Sequence, residues 1–151
     1  MTNKESKIAR RVMVFGTFDV LHPGHVFFLR EAKKLGRELF AIVARDSAVS
    51  PEKRKYVWYK ELTRMRHVRA LRIADRVLLG DEASRISHDF PMIQKWKPNM
   101  VAVGYDQTHL ISDLRKQSKQ WPWKIRIARI KAFRPRQYKS SLLKKKMLSQ
   151  S

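Results

Sequence analysis

Short uninterrupted apolar runs alternate along this chain with longer stretches in which apolar residues recur every three or four positions, the periods of strand and helix. Val12-Met13-Val14-Phe15 opens the series, and the pattern predicts a strand over residues 11–15. A helix follows over 24–35, with Phe28, Ala32 and Leu35 on one face and Gly36 as its C-terminal stop. Residues 39–44 read as a second strand, apolar throughout as a strand covered on both faces must be. A long polar connection from Ser47 to Lys60 carries Lys53-Arg54-Lys55 and the aromatic residues Tyr56, Trp58 and Tyr59, and a helix is predicted over 60–73. Beyond it the pattern gives a third strand at 76–79, a short helix over 89–96 with Pro91 near its start, and a fourth strand at 100–103 ending at Gly104. A helix over 108–117 carries Leu110, Ile111 and Leu114; a fifth strand at 124–130, a basic loop and a last helix from Ser140 or Ser141 to residue 148 complete the chain.

This alternation builds an α/β fold: a Rossmann-like open sheet of five parallel strands with helices on both faces, joined by right-handed crossovers. In such sheets ligands bind outside the carboxyl ends of the strands, near the point where strand order reverses. The regions around Gly16, Asp46 and Asp106 fall at those ends. With 151 residues the chain has room for a single domain, predicted over residues 9–148, with flexible ends at 1–8 and 149–151.

Charge changes the picture more than size does. Lys and Arg number 34 against 13 Asp and Glu, a formal net charge of +21, and such a field draws polyanions: nucleotides, pyrophosphate, RNA or an anionic surface. The absence of cysteine excludes disulfides, thiolate catalysis and zinc–thiolate sites. The first residues are polar and no run approaches the roughly 20 apolar residues of a membrane span. Neither a signal peptide nor membrane insertion is expected, and a cytoplasmic location follows.

Chemistry concentrates in Gly16-Thr17-Phe18-Asp19-Val20-Leu21-His22-Pro23-Gly24-His25. A strand that ends in small residues and restarts as a helix at Gly24 presents backbone N–H groups and the positive end of a helix dipole to one point, where a phosphate can sit. Imidazoles beside a phosphate chain donate hydrogen bonds to the oxygens on which charge builds during displacement at phosphorus. Two histidines three apart are also compatible with a solvated turn and a plain helix start; the whole decapeptide favours the site.

The run Gly16-Thr17-Phe18-Asp19 followed by His22-Pro23-Gly24-His25 resembles the GTFD…HxGH signature of the cytidylyltransferase-like nucleotidyltransferases. Val43-Ala44-Arg45-Asp46, Glu61-Leu62-Thr63-Arg64, Ala74-Asp75, Val103-Gly104-Tyr105-Asp106-Gln107 and Ser140-Ser141 fall in that family's order, over nearly the whole chain. Within the family these pieces look most like archaeal-type FAD synthases, with glycerol-3-phosphate cytidylyltransferases next. The resemblance implies that a phosphorylated acceptor attacks the α-phosphate of a nucleoside triphosphate, with Mg²⁺ held mainly by the phosphates and pyrophosphate leaving.

It also implies roles. His22, His25 and a lysine of the basic connection, Lys55 ahead of its neighbours Lys53 and Arg54, would act on the phosphates as catalytic groups. Nucleotide contacts fall to Gly16, Thr17, Phe18, Gly24, Arg64, Gly104, Asp106, Ser140 and Ser141. On the acceptor side the candidates are Asp19, Asp46, Asp75 and Arg136, where Asp19 also reads as a brace of the turn and Asp75 as the start of the third strand. Arg134 and Arg136 flank one family position, and both stay open. Trp121, Trp123, Phe133 and Tyr138 either stack on a flavin or base or pack in the core.

The expected activity is thus an adenylyl- or cytidylyltransferase using ATP or CTP: FMN plus ATP giving FAD first, glycerol 3-phosphate plus CTP second. The chain shows no Ser/His/Asp or Cys/His arrangement, and the reaction requires no side-chain nucleophile. The rival class is a catalytically inactive module that binds RNA through its basic surface, to which Lys131, Arg134, Arg136 and Lys139 beside Phe133 and Tyr138 point. Weak nonspecific nucleic-acid binding and a homodimer stay open under either reading.

Overall fold

Val12, Met13 and Val14 are all inaccessible to solvent, although consecutive residues of a strand face opposite sides of its sheet. Both faces are therefore covered, as the unbroken apolar runs require. The computed structural model describes residues 8–82 and 90–133. In chain order its elements are β1 (Ala9–Gly16), α1 (Pro23–Lys34), β2 (Gly36–Val43), α2 (Pro51–Arg54), α3 (Glu61–Ala70), β3 (Arg76–Leu79), α4 (Pro91–Trp96), β4 (Met100–Val103), α5 (Thr108–Ser118) and β5 (Arg126–Arg129). Every strand pairing is parallel, and the spatial order is β3-β2-β1-β4-β5. The order reverses between β1 and β4, so the crevice outside their carboxyl ends is where this architecture takes a ligand.

Two apolar layers follow from the alternation along the strands. On one face Val12, Val14, Leu39, Ala41 and Val43 pack with Leu29 and Ala32 of α1 and Val68 of α3. On the other, Met13, Phe40, Ile42, Val101 and Val103 meet Ile93 of α4 and Ile111 and Leu114 of α5. The observed fold is the expected open α/β sheet with helices on both faces. Among the described residues no helix is long and apolar enough to cross a membrane.

The differences from the sequence reading are local. Gly36 is not a left-handed helix stop, since no described glycine has positive φ; it is the first residue of β2. A Cβ there would lie 2.5 Å from Val12 Cγ2 and 2.8 Å from the Ala9 carbonyl oxygen, so the close approach of β1 is what demands glycine. The long polar connection is broken by a 3₁₀ turn at Asp46–Ala48 and by α2. The fifth strand is shorter than residues 124–130, spanning Arg126–Arg129. The expectations for the flexible ends, the last helix, Ser140, Ser141, Arg134, Arg136 and Tyr138 fall on residues 1–7 and 134–151, outside the described residues.

Candidate active site

β1 runs out at Gly16, and the chain then turns at Phe18 in the left-handed region, with φ 52°. This turn folds the Phe18 ring back over Gly16, where a Cβ would stand 2.7 Å from a ring carbon. Glycine fits there and a larger residue would displace the ring. Phe18 is only 4 % exposed and belongs to the core beneath the turn, its ring centroid 5.7 Å from that of His25. The Phe18 side chain therefore supports the turn from inside, and does not form part of the ligand-facing surface. The Ala44 N–H donates to the Gly16 carbonyl at 2.9 Å, joining the carboxyl ends of β1 and β2.

His22 is the N-cap of α1, with Pro23 in the first turn, where fixed φ and a missing N–H cost nothing. The Gly24 N–H donates to His22 Nδ1 at 3.1 Å, and the His22 N–H donates to His25 Nδ1 at 3.3 Å. Each ring thus accepts at Nδ1 in its neutral form, which places its proton on Nε2. Burial lowers the pKa of both: His22 moves below its ordinary value, and His25 falls to about 3 through burial first and then the neighbouring His22, with Asp19 opposing. The ring centroids are 4.0 Å apart, too close for both to carry charge comfortably. A Cβ on Gly24 would lie 2.7 Å from His22 Cε1, so that glycine makes room for the capping ring. At neutral pH the turn offers two neutral imidazole N–H donors beside a helix N-terminus, suited to phosphate oxygens.

Behind the turn lies a polar network joining segments far apart in sequence. Asp19 is 5 % exposed, and its carboxylate accepts from the backbone N–H groups of Trp58 and Tyr59, both at 2.9 Å. Arg64, fully buried, donates from Nη1 to the Thr17 carbonyl at 2.7 Å, from Nε to the Tyr59 carbonyl at 2.9 Å and from Nη2 to Asp46 Oδ1 at 2.7 Å. Asp46 and Glu61 are also reciprocal: the Asp46 N–H donates to Glu61 Oε1 at 3.0 Å, and the Glu61 N–H to Asp46 Oδ2 at 3.3 Å. Arg45 Nη1 completes the set on Glu61 Oε2 at 3.1 Å. Arg64 and Asp19 are thus committed to protein partners that hold the histidine turn against the basic connection, and Arg64 has no surface left to offer a nucleotide, while Asp46 joins the network with its side chain 38 % exposed.

At β4 the geometry centres on Gln107, which sequence reasoning placed in a motif without giving it a role. Its Oε1 accepts from the Gly104 N–H at 2.9 Å and its Nε2 donates to the Phe15 carbonyl at 3.0 Å, tying together the two strand ends that flank the reversal of strand order. The signal available was the residue type, since a side-chain amide offers an acceptor oxygen and a separate donor nitrogen and can bond two backbone groups at once. Asp106 is exposed beside it, and a Cβ on Gly104 would sit 3.2 Å from Asp106 Oδ1.

The basic connection divides by partner. Arg54 Nη2 donates to the Ser47 and Val49 carbonyls at 3.1 and 3.0 Å and braces the segment. Lys53 and Lys55 are exposed, and Lys55 Nζ lies 5.1 Å from the centroid of the Tyr56 ring.

Some candidates are not brought to the turn. Asp75 precedes β3, at the amino ends of the strands and opposite the ligand crevice, where its carboxylate accepts from Lys33 Nζ and the Leu39 N–H. Its acidity, raised by the Lys33 and Leu39 bonds against the opposing effect of burial, serves that junction of α1 with β2. Trp121 and Trp123 stack on each other with centroids 5.2 Å apart and pack into the second core layer, and Phe133 stacks on Phe27 at 4.9 Å. A cleft of about 480 Å³ opens at the β3 edge, lined by Arg45, Arg69, Met92 and Trp96 among others, and no residue of the histidine turn lines it. The positive end of the α1 dipole, the neutral imidazoles and the strand reversal all lie at the turn.

Residues 13–146 match the family model described as cytidylyltransferase-like. The chain is 42 % identical over 132 residues to the FAD synthase of Archaeoglobus profundus, covering 87 % of this chain and 81 % of that protein. It is 37 % identical over 123 residues to the FAD synthase of Aciduliprofundum boonei, covering 82 % and 79 %. Among solved structures, the lipopolysaccharide core biosynthesis protein from Thermoplasma volcanium GSS1 superimposes with a TM-score of 0.72 at 34 % identity, over 83 % of this chain and 98 % of that one.

Proposed function

The chain belongs to the cytidylyltransferase-like family of nucleotidyltransferases, and we propose that it transfers AMP from ATP to FMN, giving FAD and pyrophosphate. The observation that carries this reading is the pair His22 and His25, both neutral and both with Nδ1 taken by a backbone N–H, at the N-terminus of α1 beside the reversal of strand order. The choice of ATP and FMN rests on the likeness to FAD synthases.

In this reaction an FMN phosphate oxygen attacks the α-phosphorus of ATP in line with the bond to the β-phosphate. The new O–P bond forms as the old one breaks, and pyrophosphate leaves with the electron pair. The Nε2–H groups of His22 and His25, with the positive end of the α1 dipole, stabilise charge on the phosphate oxygens as it builds. Lys55, or Lys53, contributes a cation from the connection above. Among the described residues no group of three or more His, Asp or Glu side chains is arranged to hold a metal ion, so the oxygens of the triphosphate itself, with Asp106 at hand for a bound water, would hold Mg²⁺. When bound, that ion neutralises phosphate charge.

The test is pyrophosphate release from ATP or CTP against FMN and glycerol 3-phosphate, with FAD identified chromatographically. ATP with FMN should react fastest; release with CTP and glycerol 3-phosphate alone would transfer the reading to the cytidylyl branch. The formal charge of +21 also supports weak, sequence-independent nucleic-acid binding as a secondary property. Such binding should fade steeply between low and physiological salt while turnover survives. Tight, salt-resistant RNA binding with no pyrophosphate release would overturn the enzyme reading.

A further inference from the structure

The sheet is paired to its carboxyl edge on both flanks and left open in the middle. β1 pairs with β2 as far as Gly16 and Val43, and β4 with β5 as far as Val103 and Arg129. Between β1 and β4 the ladder stops at Met13 and Val101. Continued by two residues, that register would set Phe15 against Val103 and direct the Gly104 N–H to the Phe15 carbonyl as the next rung of a parallel ladder. Both groups are instead taken by the Gln107 amide: the Gly104 N–H donates to Oε1 at 2.9 Å, and Nε2 donates to the Phe15 carbonyl at 3.0 Å. The side chain is thus inserted into the missing rung. A bond from the Gln107 N–H to the Gly104 carbonyl at 3.1 Å closes the 104–107 turn that aims it there. Gln107 is also the N-cap of α5, yet its side chain makes no capping bond and serves the strand ends alone.

We propose that Gln107 is a positioning residue whose amide acts as a wedge, holding the ends of β1 and β4 apart and so setting the width of the crevice between the histidine turn and the 104–107 turn. This rests on the proposed nucleotidyl transfer, since that crevice is where the nucleotide would lie. With the wedge removed, the Gly104 N–H and the Phe15 carbonyl are complementary and can meet directly, which draws the strand ends together while both groups stay paired. Gly16 and the histidine turn follow Phe15 without a break, so they move with the end of β1. The 104–107 turn carries Asp106 and lies against α1, where a Cβ on Gly104 would stand 3.9 Å from Phe28 Cε2. Narrowing the gap therefore displaces one side of the site relative to the other, and a misplacement of about 1 Å can lower a rate about a hundredfold.

Two variants separate the width of the crevice from simple bracing. Gln107→Ala removes the wedge and lets the direct rung form, whereas Gln107→Met keeps a side chain of similar length in the gap and leaves both backbone groups unpaired. Gln107→Ala should unfold in urea at the wild-type midpoint and keep the Gly104 amide protected from hydrogen exchange, yet lose about tenfold or more in kcat for pyrophosphate release from ATP with FMN. Gln107→Met should show the reverse: a lower midpoint and a fast-exchanging Gly104 amide, with kcat within about threefold of wild type. Turnover that follows stability in both variants, as a brace would give, overturns the inference. So does a Gly104 amide that exchanges freely in Gln107→Ala. If wild-type protein releases no pyrophosphate from ATP or CTP, the transferase reading fails, and the Gly104 exchange pattern of the two variants still upholds or overturns the wedge.

Discussion

Arg64 Nη1 donates to the carbonyl oxygen of Thr17 at 2.7 Å across 47 residues of sequence, so a fully buried guanidinium on α3 sets the position of the histidine turn. Its remaining bonds go to the Tyr59 carbonyl and Asp46, which makes Arg64 the common support of the turn and the basic connection.

Arg64→Met should lower stability by about 2–3 kcal/mol, below the usual cost of breaking a buried ion pair because Asp46 retains access to water. Arg64→Lys should recover little, since one ammonium cannot reproduce a fork reaching three acceptors. Urea unfolding curves measure both; variants as stable as wild type would show the network to be dispensable.

His22→Asn and His25→Asn should each reduce turnover about a hundredfold, the scale of losing one preorganised donor to a developing oxyanion. The far-UV circular dichroism of each variant should match the wild type. Near wild-type rates in both would mean that the phosphates sit elsewhere.

Burial holds the pKa of His25 at about 3 in the folded protein, against an ordinary 6.5. As pH falls through 6.5 the unfolded chain binds a proton that the folded protein refuses until about pH 3. Stability is therefore full above pH 6.5 and declines below it, at about 1.4 kcal/mol per pH unit for this one proton. His22, shifted the same way, adds to the slope. Denaturant midpoints from pH 7 to pH 4 should fall more steeply for wild type than for His25→Asn, and equal slopes would contradict a buried neutral imidazole.

Replacing Lys53, Arg54 and Lys55 singly by alanine should separate three behaviours. Lys55→Ala should show the dominant loss of turnover, Lys53→Ala a small one, and Arg54→Ala faster proteolysis between Ser47 and Lys60, because its guanidinium ties that stretch to the Ser47 and Val49 carbonyls. Three equal and small rate effects would leave the phosphates without a cation from this segment.

The sequence by itself determined the central strands β1, β2 and β4 with their burial on both faces, and the histidine turn, because these depend on local quantities. A short unbroken run such as Leu39 to Val43 reads by length and residue type as a doubly covered strand, and Gly16, Pro23 and Gly24 carry their backbone demands with them. Tertiary structure alone decided what the charged and aromatic residues do. Arg64 reads as a ligand contact until its burial and its three protein acceptors are known, and Asp19 finds its N–H partners 39 and 40 residues away. Asp75 has the right residue type at the wrong end of the strands, while Trp121 and Trp123 spend their faces on each other. Charge and aromaticity are properties of a residue. Whether they serve a ligand or the fold depends on burial and on which donor meets which acceptor, and only the folded chain settles that.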